Sequence, residues 1–284
     1  MSIRYLGALV ALMAASPVLA QTNDPATTVP DSPGGRDRVT IALGAGILPS
    51  YEGSDNGVVT PVGALNGTVS GFSFFTQGTT FYVDLIPDAD GAPGFDFQAG
   101  PVAGARFNRA SRIRDAQVRS LGNRRVAAEV GGFVGISRTG VITSDYDTLS
   151  ALVSVVHDVA GIHRSTIITP SIAYSTPLSR RTLVGLSASM DFVERGYGRA
   201  YFDVDAAGSA RSGLPVFRAD GGLKSYTLSL LGTQSLSGDL RNGFALFALG
   251  SYSRLLNDYS ASPVTRIAGS PNQWLGAVGL AYTF

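Results

Sequence analysis

Residues 273–284, Gln-Trp-Leu-Gly-Ala-Val-Gly-Leu-Ala-Tyr-Thr-Phe (QWLGAVGLAYTF), decide the fold. Trp274, Val278, Leu280, Tyr282 and Phe284 share one parity, with Gly276 among them. Gln273, Ala277, Gly279, Ala281 and Thr283 share the other, and Leu275 is the exception there. A period of two is the mark of a half-apolar strand. Chain ends are usually polar and poorly ordered, so a terminal strand rich in aromatics is expected to be held in a sheet.

The same period recurs upstream. Val39, Ile41, Leu43, Ala45 and Ile47 alternate with small residues; Phe95, Phe97, Ala99, Pro101, Ala103, Ala105 and Phe107 alternate with Asp96, Gln98, Gly100, Val102, Gly104 and Arg106. Val184, Leu186, Ala188, Met190 and Phe192 oppose Gly185, Ser187, Ser189 and Asp191, and Tyr226, Leu228 and Leu230 oppose Ser225, Thr227 and Ser229. A soluble sandwich shows this alternation too. Three details point instead to a membrane. The strands are long, where ordinary ones average about 5–6 residues. The less apolar face is Gly, Ala, Ser and Thr rather than the Lys and Glu of a water-facing surface. Aromatics stand near the strand ends, as a girdle requires. In hydrocarbon every backbone N–H and C=O needs an internal partner, so a sheet spans only when it closes. The expected fold is all-β: a transmembrane antiparallel up-and-down barrel.

Candidate strands are 39–48, 58–66, 68–77, 79–86, 95–107, 126–137, 148–157, 166–176, 182–193, 224–235, 243–254 and 273–284, twelve in all. The last is expected to pair with the first and abolish both edges. Asn66-Gly67 reads as a tight hairpin. The connections 87–94, 177–181 and 235–243 are short, whereas 107–125, 194–223 and 255–272 are long and fall at the other end. Short periplasmic turns and long outer loops are the usual asymmetry.

Residues 1–20 read as a cleaved signal peptide, with Arg4, an apolar run and a small-residue site ending at Ala20. Residues 21–37, rich in Pro, Asp and Thr, read as a flexible periplasmic tail, and 38–284 as the barrel. There is no cysteine, charged residues are 15%, and glycine numbers 35 of 284. That is too apolar for a disordered chain and too rich in glycine for good helices. The near-neutral charge suggests no nucleic-acid partner. The single lysine is Lys224.

No catalytic pattern is strong, and no cofactor or metal site is expected. Gly44-Ala45-Gly46 lacks the third glycine of a nucleotide loop. Asp88-Ala89-Asp90-Gly91 lacks the spacing of a calcium loop. His157 and His163 have no G-x-S-x-G partner. The stretch 106–125, carrying Arg106, Arg109, Arg112, Arg114, Arg119, Arg124 and Arg125 against Asp115, either binds the phosphates of lipopolysaccharide or is a solvated loop. Tyr51, Asp55, Ser212, Pro215, Arg254, Asp258, Ser262, Pro263 and Gln273 lie in Pro/Gly/Ser-rich stretches at one end of the expected barrel. There they either meet as a mouth motif or merely rigidify the rim, with Arg254 expected to pair with Asp258 or Asp55.

These stretches resemble the MipA/OmpV family (MltA-interacting protein and outer-membrane protein V). The resemblance rests on Gly44, Gly46, Pro49, Tyr51, Gly53, Ser54 and Asp55. It continues with Tyr201, Phe202, 212–215 and 222–224, then with 254–256, Asp258, 262–264, Gly269, Ser270, Asn272, Gln273, Tyr282 and Phe284. The chain departs from the family pattern at Asn56-Gly57 and at Tyr259-Ser260. The resemblance implies a non-enzymatic outer-membrane barrel. It also implies a scaffold for peptidoglycan machinery, with a murein hydrolase or synthase as partner; the alternatives are a passive small-solute channel and an adhesin. Tyr282 and Phe284 look like the signal read by the barrel insertion machinery.

Overall fold

A computed structural model describes residues 37–87 and 95–284. The expected signal peptide, the tail up to residue 36 and the Asp88–Gly91 turn lie outside the described residues. Twelve strands form one closed barrel in which each pairs antiparallel with its sequence neighbours, and the last pairs with the first. They are β1 (Arg38–Pro49), β2 (Gly57–Val69), β3 (Phe72–Gln77), β4 (Thr80–Val83), β5 (Phe95–Arg106) and β6 (Ala127–Thr139). The second half holds β7 (Thr148–Asp158), β8 (Thr166–Pro177), β9 (Thr182–Val193), β10 (Gly222–Ser235), β11 (Gly243–Leu255) and β12 (Asn272–Thr283). No described helix is long and apolar enough to cross a membrane.

The terminal strand behaves as its parity requires. Trp274 is 69% and Phe284 68% exposed on the outer face, while Ala277 on the inner face is 5% exposed. β12 pairs with β1 from Thr40↔Thr283 to Ile47↔Gly276, and the Phe284 N–H donates to Val39 O at 2.9 Å. Two aromatic belts ring β10 to β12. Tyr226, Tyr252 and Trp274 make ring contacts at one level (6.2 and 4.7 Å); Phe244, Tyr282 and Phe284 make them at the other (4.7 Å each). Eight residues separate Trp274 from Tyr282. At about 3.4 Å per residue and a tilt of about 40° they stand roughly 20 Å apart, near the height of an apolar membrane band.

The strand order is as expected, but one turn and the bounds of β2 to β4 are corrected. Asn66 and Gly67 are not a turn: they lie inside β2, facing Thr40 and Val39 on one side and Phe75 and Phe74 on the other. The hairpin turns at Ser70 and Gly71, both with positive φ (54° and 81°). Asn-Gly is a strong local signal, but it loses to the ladder, which extends β2 to meet Arg38 at Thr68. In consequence β3 and β4 are much shorter than expected.

Candidate functional site

The connections 50–56, 107–126, 159–165, 194–221 and 256–271 leave from one end of the barrel and fold inward. Short helices order them: α1 (Ala116–Ser120), α2 (Arg195–Tyr201), α3 (Ala206–Ser212), α4 (Asn257–Ala261) and α5 (Pro263–Arg266). Local sequence sets their ends. Asp115 caps α1 by accepting from Val118 N–H (2.8 Å), and Asp205 caps α3 through Gly208 N–H (2.6 Å). Gly213, at φ 71°, ends α3 in the left-handed conformation that glycine favours. Pro263 opens α5 where its missing N–H costs nothing.

Tyr197, Tyr201, Phe202 and Tyr259 from these loops pack in one cluster with the lumen-facing residues Phe75, Tyr82, Phe133, Ile167 and Val193. A second cluster joins loop to loop through Tyr51, Ile113, Val118, Leu214 and Val264. The long-loop end is a packed plug whose core continues into the barrel.

Beneath it lies a buried ionic network. Arg106 Nε and Nη2 donate to both oxygens of Glu129 (2.6 and 3.1 Å), and His163 Nε2 lies 3.0 Å from Glu129 Oε1. Lys224 Nζ pairs with Glu52 and, at 3.0 Å, with Asp191 Oδ2; Thr169 Oγ1 also donates to Asp191 (2.8 Å). Glu52 further accepts from the Tyr197 hydroxyl (2.5 Å) and Asn108 Nδ2 (3.0 Å). Tyr197 stands between the two cations, its ring 5.5 Å from the Arg106 guanidinium and 5.0 Å from Lys224 Nζ. Burial pushes the Tyr197 hydroxyl well up from its ordinary value, so it stays a donor to Glu52. Breaking a buried pair strands a charge, so this constellation locks loop 50–56, α2, β5, β6, β9 and β10 together. His163 is engaged with Glu129, while His157 lies on the outer face with Nδ1 3.2 Å from Thr166 Oγ1; the two histidines share no site.

Several of the expected mouth residues do meet. Buried Tyr51 donates to the carbonyls of Ala268 and Val264, and burial raises its pKa. Gln273 accepts from Gly53 N–H (3.1 Å) and donates to Ser54 O (3.1 Å). Ser262 donates to Phe202 O (2.7 Å), and buried Pro263 follows it. Ser212 donates within α3 to Gly208 O (2.7 Å). Asp258 accepts from Asp220 N–H (2.9 Å). Together they tie loop 50–56 to 194–221 and 256–271.

A family model described as MltA-interacting protein MipA matches residues 41–284. The chain belongs to the MipA family. No curated protein matches it by sequence. Among solved structures it is similar to a loop-deletion mutant of OmpT from Vibrio cholerae (6% identity, 88% of this chain and 98% of that one, TM-score 0.36). It is also similar to OprD from Pseudomonas aeruginosa (10% identity, 87% and 93%, TM-score 0.29). Both are outer-membrane proteins, but the superpositions are loose, and the barrel assignment rests on the strand pairing itself.

Other expectations for this MipA-family barrel are corrected. Arg254 bonds neither Asp258 nor Asp55; its Nη1 donates to Asn272 Oδ1 (2.7 Å) on the next strand. Asp55 and Pro215 stay exposed. The arginines of 107–126 divide into two kinds. Arg109 is buried and donates to Tyr201 O and Gly122 O (3.0 and 3.1 Å), and Arg124 donates to Ala200 O (2.7 Å). These two fasten the loop rather than face a ligand. Burial, with Arg124 nearby, pushes the Arg109 guanidinium down to about 10. Arg112, Arg114, Arg119 and Arg125 are exposed.

Sequence reasoning misses the ionic network: it reads Arg106 only as part of an arginine-rich loop and Lys224 only as part of the family resemblance, and it gives Glu52, Glu129 and Asp191 no role. The available signal was a charge with lumen parity close to the long-loop end of a strand, as at Arg106, Glu129 and Asp191.

Proposed function

We propose that this outer-membrane barrel acts without catalysis, as an envelope scaffold that docks a murein hydrolase at its short-turn end. The observation that carries this reading is the filled lumen. Paired charges and packed aromatics occupy the barrel beneath the mouth, which disfavours passive solute flow. In outer-membrane barrels the short-turn end usually faces the periplasm, and both the start of β1 and the end of β12 lie there. Its turns expose Ile142, Tyr146, Leu178 and Leu236, apolar groups that offer a partner contact area. The family description names a murein-enzyme partner, and this surface is where one would bind.

The test is affinity purification of the tagged full-length barrel from mildly solubilised envelopes. Recovery of a murein hydrolase is expected, together with its loss in an Ile142→Asp/Leu178→Asp variant that keeps folded gel mobility. Failure of the wild-type barrel to recover any murein enzyme overturns the reading.

A further inference from the structure

The barrel wall is incomplete on one side. β2 has 13 residues and β5 has 12, but between them β3 has 6 and β4 has 4. β2 pairs with β3 only over Asn66–Val69, although it pairs with β1 from Gly57 to Thr68. Above that ladder, Leu65 N–H donates to the Thr76 hydroxyl (3.0 Å), and Val59 O accepts from Arg112 Nη1 (3.1 Å). Between these two points stands Pro61, which has no N–H and suits an edge without a strand partner.

The register places this notch at membrane height. Val59 faces Ile47, which faces Gly276; Leu65 faces Ile41, which faces Tyr282. At a tilt of about 40° each strand crossed changes height by only about 3 Å, so the unpaired edge overlaps the interval between the two aromatic belts. A sheet edge open to hydrocarbon is normally avoided.

Behind the notch is a cavity of about 110 Å³ in the short-turn half of the lumen. Val62, Gly63 and Ala64 of β2 and Gly78 of the β3–β4 turn line it on the notch side; Leu275 of β12 and Phe247 of β11 line it two and three strands further round the barrel. Gly63 is exposed on the outer surface and also lines the cavity, so the wall there is a single backbone thick. An apolar cavity stays dry and takes apolar guests; one of roughly 150 Å³ holds benzene. This smaller one suits the last few carbons of a chain rather than a whole lipid.

We propose that the cavity holds the end of an acyl chain of an outer-membrane lipid, which reaches it sideways through the notch beside β2. At this height hydrocarbon is the surrounding solvent, and the lining is mostly apolar, with Thr40, Asn66, Thr76, Thr79, Thr233 and Thr283 as its polar members. A strand from another protein would need the ladder that Pro61 interrupts. The reading is independent of any role as a scaffold.

Photo-crosslinking in vesicles tests it. The full-length barrel is reconstituted with phosphatidylethanolamine, or in a second arm lipid A, carrying a diazirine at the acyl terminus, and adducts are mapped by mass spectrometry. Adducts on the inward residues Phe247, Leu249 and Leu275 are expected beside those on outward Leu246 and Val278; the arm that gives them identifies the lipid. Ala277→Phe and Ala64→Phe, which fill the cavity from the two strands that flank β1, are each expected to lose the inward adducts. Both should keep the outward adducts and folded gel mobility. Wild-type adducts confined to outward residues in both arms overturn the proposal, even if neither variant folds. So do inward adducts that persist in a folded variant.

Discussion

Lys224 Nζ lies 3.0 Å from Asp191 Oδ2 at the place where the β9·β10 ladder slips by one residue. Leu223 faces Phe192 and Ser225 faces Asp191, which leaves Lys224 as the extra residue of a bulge. By parity Lys224 belongs with Tyr226, Leu228 and Leu230, on the face turned to lipid. The bulge turns it inward instead, to 2% exposure between Asp191 and Glu52. Lys224→Met is therefore expected to strand two carboxylates and cost about 3–5 kcal/mol, read as a lower urea midpoint in detergent. Adding Glu52→Gln should recover part of the loss, because the amide oxygen still accepts from Tyr197 and Asn108.

The plug makes a second prediction. Wild-type protein in a planar bilayer is expected to show no steady porin-sized conductance. Replacing 195–221 by a short Gly/Ser linker removes Tyr197, Tyr201 and Phe202, which seal the mouth. Stepwise conductance should then appear while the barrel keeps its folded mobility. Porin-like steps from the intact protein would contradict the sealed lumen.

The barrel was legible in sequence because alternation is a local property. Each strand must present lipid-compatible groups on one face whatever its neighbours do, so Trp274, Val278 and Leu280 announce themselves. The mouth was only half legible. Tyr51 sits in unusual loop sequence and Gln273 near the start of the terminal strand, and both bind across loops. Glu52, Asn108 and Glu129 acquire meaning only when four separate segments converge on one point, and no spacing records that. The Asn66-Gly67 error has the same origin: a two-residue signal was read without its cross-strand partners Thr40 and Val39.

At the short-turn end, Asp147 organises the turn 140–147. Burial works against its charged form. The N–H groups of Thr143 and Val141, the Tyr174 hydroxyl and Ile142 N–H outweigh it and hold its pKa well below the usual carboxylate value. A depressed carboxylate stabilises the fold fully above its unfolded pKa of about 3.9 and loses that stabilisation as pH falls further. Thermal stability should therefore drop below about pH 4 in the wild type. Asp147→Asn should be less stable at neutral pH and show a smaller acid-induced change across that window.

The seam between β1 and β12 tests closure itself. Gly44 faces Gly279 there. A Cβ on Gly279 would sit 2.3 Å from Leu43 O and 2.6 Å from Gly44 Cα, backbone atoms that cannot swing aside. Gly276, on the outer face of the same strand, has nothing within 4 Å of such an atom. Gly279→Val is expected to prevent the folded, heat-modifiable form in gels, and Gly276→Ala to leave it intact. Deleting Phe284 separates strength from recognition. It removes one seam hydrogen bond, to Val39 O, and one belt aromatic, so refolding of the purified truncation into detergent should be nearly normal. If Tyr282 and Phe284 are read by the insertion machinery, the same truncation should accumulate unassembled in cells. Equal assembly of wild type and truncation in cells would remove Phe284 from that role and leave it as a belt residue.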